Sequence, residues 1–248
     1  MCIIMKPTAI TPKPYRPNQA KNVMAAAAIV TSWATLMHTA VFVVKDITSI
    51  KGMVLVPCIT FLYTGLFITG HDAMHGNISS NRFINDAIGH VCTNLYAGLD
   101  FGKMRHKHML HHAHTGIVKE DPDFHRGDST FHRWFASFMA EYTDIRQAVK
   151  LTVIIEALRQ SGAPDANIYV YVAACGILSA LQLFYFGTYI PHRPPANNAK
   201  AVMNWEKSKS SSKGRLESLL TCYHFDCHYE HHAFPHIPWF DLWDVKDR

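Results

Sequence analysis

Three long uncharged runs alternate along this chain with stretches dense in charge and histidine. Val23–Val44 contains 22 residues without Asp, Glu, Lys or Arg, and Ile168–Ile190 contains 23. At about 1.5 Å per residue, a helix of either length crosses a hydrocarbon core of roughly 30 Å. Met53–Thr69 is 17 residues long, at the lower limit for a span, and Pro57 near its start is tolerated in a membrane helix. Few amphipathic segments remain to pack around these runs as a soluble core, so the pattern predicts membrane helices.

Charge orients them. Lys6, Lys13, Arg16 and Lys21 precede the first run, with no small-residue cleavage site after it. That reads as a cytoplasmic tail, residues 1–21, rather than a signal peptide. The net charge of +5 flanks the membrane runs and suits anionic headgroups, so it implies no nucleic-acid partner. The cysteines form no CxxC pair, and Cys58 and Cys175 lie within spans, which fits a reducing compartment. Cys222 and Cys227 flank His224 and raise zinc ligation, but no second cysteine pair completes a zinc-finger pattern.

The 17 histidines are clustered. "HDAMH" holds His71 and His75, "HMLHH" holds His108, His111 and His112, and "HYEHH" holds His228, His231 and His232. Residues three and four apart share a helix face, so each cluster aims its imidazoles at one point. A tetrahedral site needs about four ligands, and eight convergent rings therefore predict two metals. Imidazole suits zinc, copper, iron and nickel alike; a histidine site beside a lipid-filled cavity favours iron, whose redox chemistry with dioxygen reaches an unactivated C–H bond. His192, emerging from the last run at the same face, is a ninth candidate, and His224 could share the helical face of His228. Asp72 and Glu230 cannot point with their neighbouring histidines on a helix, so they read as carboxylates that orient ligands through the second ring nitrogen. "KEDPDFHRGD", with Asp121 and Asp123, reads first as a charged turn broken by Pro122. His38 and His90 read as packed side chains; His106, His114, His132 and His236 read as solvated or outlying.

One metal centre must lie on one side of the membrane. The segment between His75 and His108 is too short for two crossings, so 83–102 is expected to lie along the membrane face or dip into it. Between His112 and His228 the chain must cross an even number of times. A partner for 168–190 is thus required within about 131–160, although Arg146, Lys150, Glu156 and Arg159 interrupt that stretch and a charge at mid-membrane costs about 3 kcal/mol. The expectation is a single all-α integral-membrane domain over 1–248, four spans in two hairpins, with termini and metal site on the cytoplasmic side.

The three clusters resemble the histidine boxes of the membrane fatty-acid desaturase and hydroxylase superfamily. "FITGHDAMHG", "DPDFHRG", "FYFGTYIPHRP" and "SLLTCYHFDCHYEHHAFPHIPW" are similar to the bacterial-type β-carotene ketolases, over about residues 60–243. The resemblance implies two non-haem irons held by His71, His75, His108, His111, His112, His228, His231 and His232, with dioxygen as co-substrate. It implies oxidation of C4 of a β-ionone ring in a carotenoid by two hydroxylations and loss of water. With no flavin, haem or ferredoxin-like motif in the chain, a separate donor such as a ferredoxin is expected. Asp226 and Cys227 depart from the small and aromatic residues expected there, and Cys227 beside a ligand raises metal binding or oxidation. A ring hydroxylase or acyl desaturase would carry the same boxes; a metal transporter would set its ionisable groups deep within spans, where His38 alone among the histidines lies.

Overall fold

The computed structural model describes residues 18–193 and 207–246, so the predicted cytoplasmic tail lies largely outside the described residues. Helices alone build these residues, with no strand among them. Three helices are long and apolar enough to cross a membrane: α1 (Gln19–Val43), α2 (Ile50–Met74) and α7 (Asp165–His192). Each begins before its uncharged run, and α2 and α7 also continue past its end. Charge does not limit a helix whose backbone is satisfied, and α2 carries on through His71 and Asp72 to a C-cap at His75.

Pairwise contacts fix how these helices run. Trp33 of α1 packs edge-on against Tyr63 of α2, with ring centroids 5.5 Å apart, and Asn22 donates to the Asn77 carbonyl at 2.5 Å. α1 therefore descends beside an ascending α2. α7 runs parallel to α2: Tyr171 hydroxyl donates to Gly52 O at 3.1 Å, and Thr64 Oγ1 meets Ser179 Oγ at 2.8 Å and Gln182 Oε1 at 2.6 Å. Such hydroxyl and amide links supply part of what apolar burial cannot inside a bilayer, about 0.6–2 kcal/mol each. At the foot of the bundle, Asn167 Nδ2 lies 2.7–3.2 Å from the carbonyls of Ala40, Val41 and Val44, which a π-helical turn frees at the end of α1.

α3 (Arg82–Ala97) turns back along α2, from Asn85, which donates to Ala73 O at 2.9 Å, down to Tyr96 beside Tyr63. Gly98, in the left-handed region at φ 68°, ends it, and α4 (Phe101–His114) climbs back. Phe101 nests on Gly89, where any Cβ would stand 2.3 Å from its ring. The α3–α4 hairpin thus dips beside α2 and returns the second histidine cluster to the first. α5 (Phe131–Tyr142) buries Trp134 and gathers Phe131, Phe135 and Phe138 around Phe184 of α7. α6 (Ile145–Gln160) has no buried residue. Its N-cap Asp144 pairs with Lys103 of α4, and its far end packs Ile155 and Leu158 against Val41 and Ile168. After the undescribed segment come α8 (Arg215–Cys222), α9 (His228–Ala233) and a 3₁₀ turn over Trp239–Val245.

Candidate metal centre

Four elements bring nine histidines together. α2 supplies His71 and His75 one turn apart, α4 supplies His108, His111 and His112, the end of α7 supplies His192, and α9 supplies His228, His231 and His232. A π-helical stretch over Phe184–Tyr189 widens α7 just before His192; such turns re-aim side chains near functional sites. The rings sort into two groups, His71, His75, His108 and His231, then His111, His192, His228 and His232, with donor atoms in each within 4.8 Å of one another. His112 sits between them, its Nε2 3.1 Å from that of His108 and 3.0 Å from that of His231, while its ring stacks on His232.

Hydrogen bonds between the rings cannot satisfy all of these nitrogens at once. His111 Nδ1 donates to Asp121 at 2.9 Å and His192 Nδ1 donates to the Lys207 carbonyl at 2.8 Å, so the Nε2 of each neutral ring is a bare lone pair. Those lone pairs face His232 Nε2 at 3.2 Å and His228 Nε2 at 2.9 Å. Both nitrogens of buried His71, and Nδ1 of buried His228, have no hydrogen-bond partner. Buried, convergent and unpaired imidazole nitrogens are costly unless a cation takes them up. Two ligands at right angles on metal bonds of about 2.1 Å stand about 3.0 Å apart, matching the close Nε2 pairs. The donor set fits two metal ions.

Electrostatics keep the rings neutral. Burial first, then the charge of neighbouring imidazoles, holds His108, His228, His231 and His232 well below the usual histidine value. The same causes bring His75 to about 4 and His112 to about 2. His111 is the exception: burial opposes its charged form, but Asp123 and Asp121 outweigh that and raise it.

The carboxylate beside the rings is Asp121, in the turn that reads from sequence as merely charged. Fully buried, it also accepts from the backbone N–H of Gly116 at 2.7 Å and of Asp123 at 2.8 Å. Tyr142 donates to Asp123, and Trp134 Nε1 donates to the Asp123 carbonyl at 2.8 Å. Asp72 behaves differently from an orienting carboxylate: it stands 3.7 Å from His71 Nδ1 and instead accepts from the Trp239 backbone N–H at 3.0 Å, tying down the C-terminal turn. Glu230 accepts from the Ser210 hydroxyl. Lys207, a backbone partner, left no signal in sequence because every residue has a carbonyl.

His224 lies outside both groups. At φ 59° it turns away, its Nδ1 meeting Ser218 Oγ at 2.9 Å and its ring lying against Trp243. Cys227 is buried in an apolar cluster with Ile237 and Leu242, so it is no ligand. Asp226 is taken up by the hydroxyls of Ser211 and Ser218. Among the described residues, the groups that could hold a metal ion contain no cysteine.

The sequence pattern of the fatty acid desaturase family matches residues 48–164 and 157–248. The chain belongs to the fatty acid desaturase family. Its relatives include "Beta-carotene 4-ketolase 3" of Haematococcus lacustris, 41% identical over 92% of this chain and 80% of that protein. "Zeaxanthin 4-ketolase" of Chlamydomonas reinhardtii is 44% identical over 92% of this chain and 54% of its own length. "Beta-carotene ketolase" of Paracoccus sp. (strain PC1) is 36% identical over 89% and 90%. The resemblance to bacterial-type ketolases within the desaturase superfamily is thereby shown, and the chain is an oxidoreductase of the membrane. No solved structure matches it.

Proposed function

We propose that the protein is a carotenoid ketolase that oxidises C4 of a β-ionone ring to a ketone. The observation that carries this reading is the pair of four-histidine groups in a chain whose full-length relatives are named ketolases. His71, His75, His108 and His231 hold one iron; His111, His192, His228 and His232 hold the other; His112 lies at their junction. When bound, such a pair would supply the oxidation of the ring C–H bond by dioxygen. The chain's own groups position it. Asp121 holds the His111 tautomer with Nε2 bare, the Lys207 carbonyl does the same for His192, and burial keeps the remaining rings unprotonated. Glu230 and Asp72 support α9 and the C-terminal turn from outside the rings.

Each methylene converted to a ketone consumes two O2, four electrons and four protons, passes through a gem-diol and releases three waters. The electrons come from a separate donor of the ferredoxin kind.

For topology, we propose α6 as the fourth crossing, giving two hairpins with the site on the cytoplasmic side. Ile145, Val149, Val153 and Ile154 are exposed along α6 as lipid-facing residues would be. Arg146 sits in its first turn and Glu156 and Arg159 toward its other end, where long side chains reach an interface, and Lys150 donates to the Gly98 carbonyl at 3.2 Å and to Asn94 Oδ1 at 3.1 Å.

Expression in a bacterium that accumulates β-carotene, beside a His231→Ala variant, tests the activity. A gain of about 14 mass units per ring, absent in the variant, is expected for CH2 becoming C=O. A gain of about 16 would make the enzyme a ring hydroxylase instead.

A further inference from the structure

The segment 207–213, "KSKSSSK", straps across the outside of the metal centre. Beyond the Lys207 bond to His192, the Ser210 hydroxyl accepts from the Tyr229 N–H at 3.0 Å, and Ser211 N–H donates to Asp226 O at 3.0 Å. The strap is thus sewn onto α9 and the turn before it. It is also cationic. Lys209 Nζ donates to the Arg193 carbonyl at 3.3 Å, Lys213 Nζ lies 4.0 Å over the Phe186 ring, and Arg193 lies 5.4 Å over Tyr189.

Carbonyls and ring faces hold these charges; of the described carboxylates that follow the strap, Asp244 pairs with Arg215 and Asp226 with serine hydroxyls, and Glu217, in the first turn of α8, makes no ion pair with a described residue. Among the described residues, Arg193, Lys207, Lys209 and Lys213 form no ion pair. Burial and the charge of Arg193 lower the Lys209 pKa, as expected for like charges kept together. One backbone carbonyl separates this surface from the His192 ring, which itself is 1% exposed.

We propose that Arg193, Lys207, Lys209 and Lys213 form the landing face for the electron donor, an acidic one-electron iron–sulfur protein, with the Lys207 carbonyl and His192 as the point of entry. The inference rests on the oxygenase reading, whose balance requires four electrons per ketone. A cationic face steers an acidic carrier and raises its rate of encounter; its position directly over a ligand shortens the path to the metals.

The test uses the full chain, iron-loaded, in phosphatidylcholine nanodiscs with an acidic plant-type [2Fe–2S] ferredoxin as probe. Lys209→Glu/Lys213→Glu is compared with wild type and with Lys51→Glu at the opposite end of α2. The double variant is expected to raise both the Kd for oxidised ferredoxin and the KM for the reduced protein about ten-fold. Its salt dependence flattens, kcat at saturating donor and bound iron stay unchanged, and Lys51→Glu changes nothing. Equal Kd values for the double variant and wild type would overturn the proposal. So would a loss that appears only when phosphatidylserine is added, which would make the strap a lipid-headgroup face. Because Kd is read on oxidised ferredoxin without turnover, missing ketone would count against the oxygenase reading and leave the docking face to be judged by binding.

Discussion

At the scale of single residues, the site depends on which nitrogen of each ring is left bare. Asp121 decides this for His111, and it is itself fixed by two backbone N–H groups. Asp121→Asn keeps the shape but can present an N–H to Nδ1, so the ring loses its preferred tautomer. Iron affinity is expected to fall about 10–100-fold, as for other groups that orient metal-bound histidines, read by metal content after dialysis against a graded chelator; unchanged retention would remove Asp121 from this role.

Protonation gives a second expectation at this scale. The unfolded chain's histidines take up protons near pH 6.5, but burial brings His75 in the folded site to about 4 and holds His108, His228, His231 and His232 well below the usual histidine value as well. The stability tied to these neutral rings is therefore full above pH 6.5 and lost as pH falls below it. The Tm of chelator-stripped protein in detergent should drop between pH 6.5 and 5, and that of iron-loaded protein should fall at least as steeply, because metal binding displaces protons and weakens as pH falls. A flat Tm over that range would contradict the burial argument.

At the scale of elements, close approach between helices is bought with glycine. A Cβ on Gly187 of α7 would stand 2.3 Å from the Phe225 ring, which in turn lies edge-on to His71 with centroids 4.9 Å apart. Gly187→Ala should displace Phe225, destabilise the protein by about 1–3 kcal/mol and lower turnover, while leaving distant α6 unaffected. Thermal unfolding together with pigment analysis separates the two losses. Asn167 offers a contrast at the other end of the bundle. Asn167→Ala removes the donor for carbonyls at the end of α1 and should cost about 1–3 kcal/mol, with metal content unchanged because the site is at the far end. If iron were lost as well, the foot of the bundle would be coupled to the site.

The elements themselves were legible to different degrees. α1, α2 and α7 announce themselves as uncharged runs, and Asn18, Ser49, Asn81, Asp100 and Asp144 cap helices with side chains that accept from the first turn. α6 does not announce itself, because its charges lie at both ends and its neutral centre, "LTVII", is too short for any run-based reading.

At the scale of the whole molecule, parity of crossings and the histidine site constrain one another. His71 and His192 both end ascending helices, so Asp165 starts at the opposite end and something must carry the chain there after His112. α6 as that element predicts that Gly162→Cys is labelled by a membrane-impermeant maleimide from outside intact cells, whereas Asp128→Cys reacts only after permeabilisation. Labelling of both from one side would leave α6 on the surface and break the two-hairpin arrangement.

The sequence by itself determined the chemistry's raw materials: helical spacing within each box fixes which rings share a face, and uncharged length fixes which segments can enter a membrane. Both are local properties, set by a few consecutive residues. The tertiary structure decided what depends on separated segments meeting. It divided nine rings into two groups of four with His112 between them, and brought in His192 from the end of α7. It turned an apparent surface turn into the buried support of His111, sent Cys227 and His224 away from the rings, and gave Asp72 to the Trp239 backbone. Those outcomes follow from α3 folding back along α2 and from the strap crossing α9, contacts between residues far apart in the chain that no local pattern encodes.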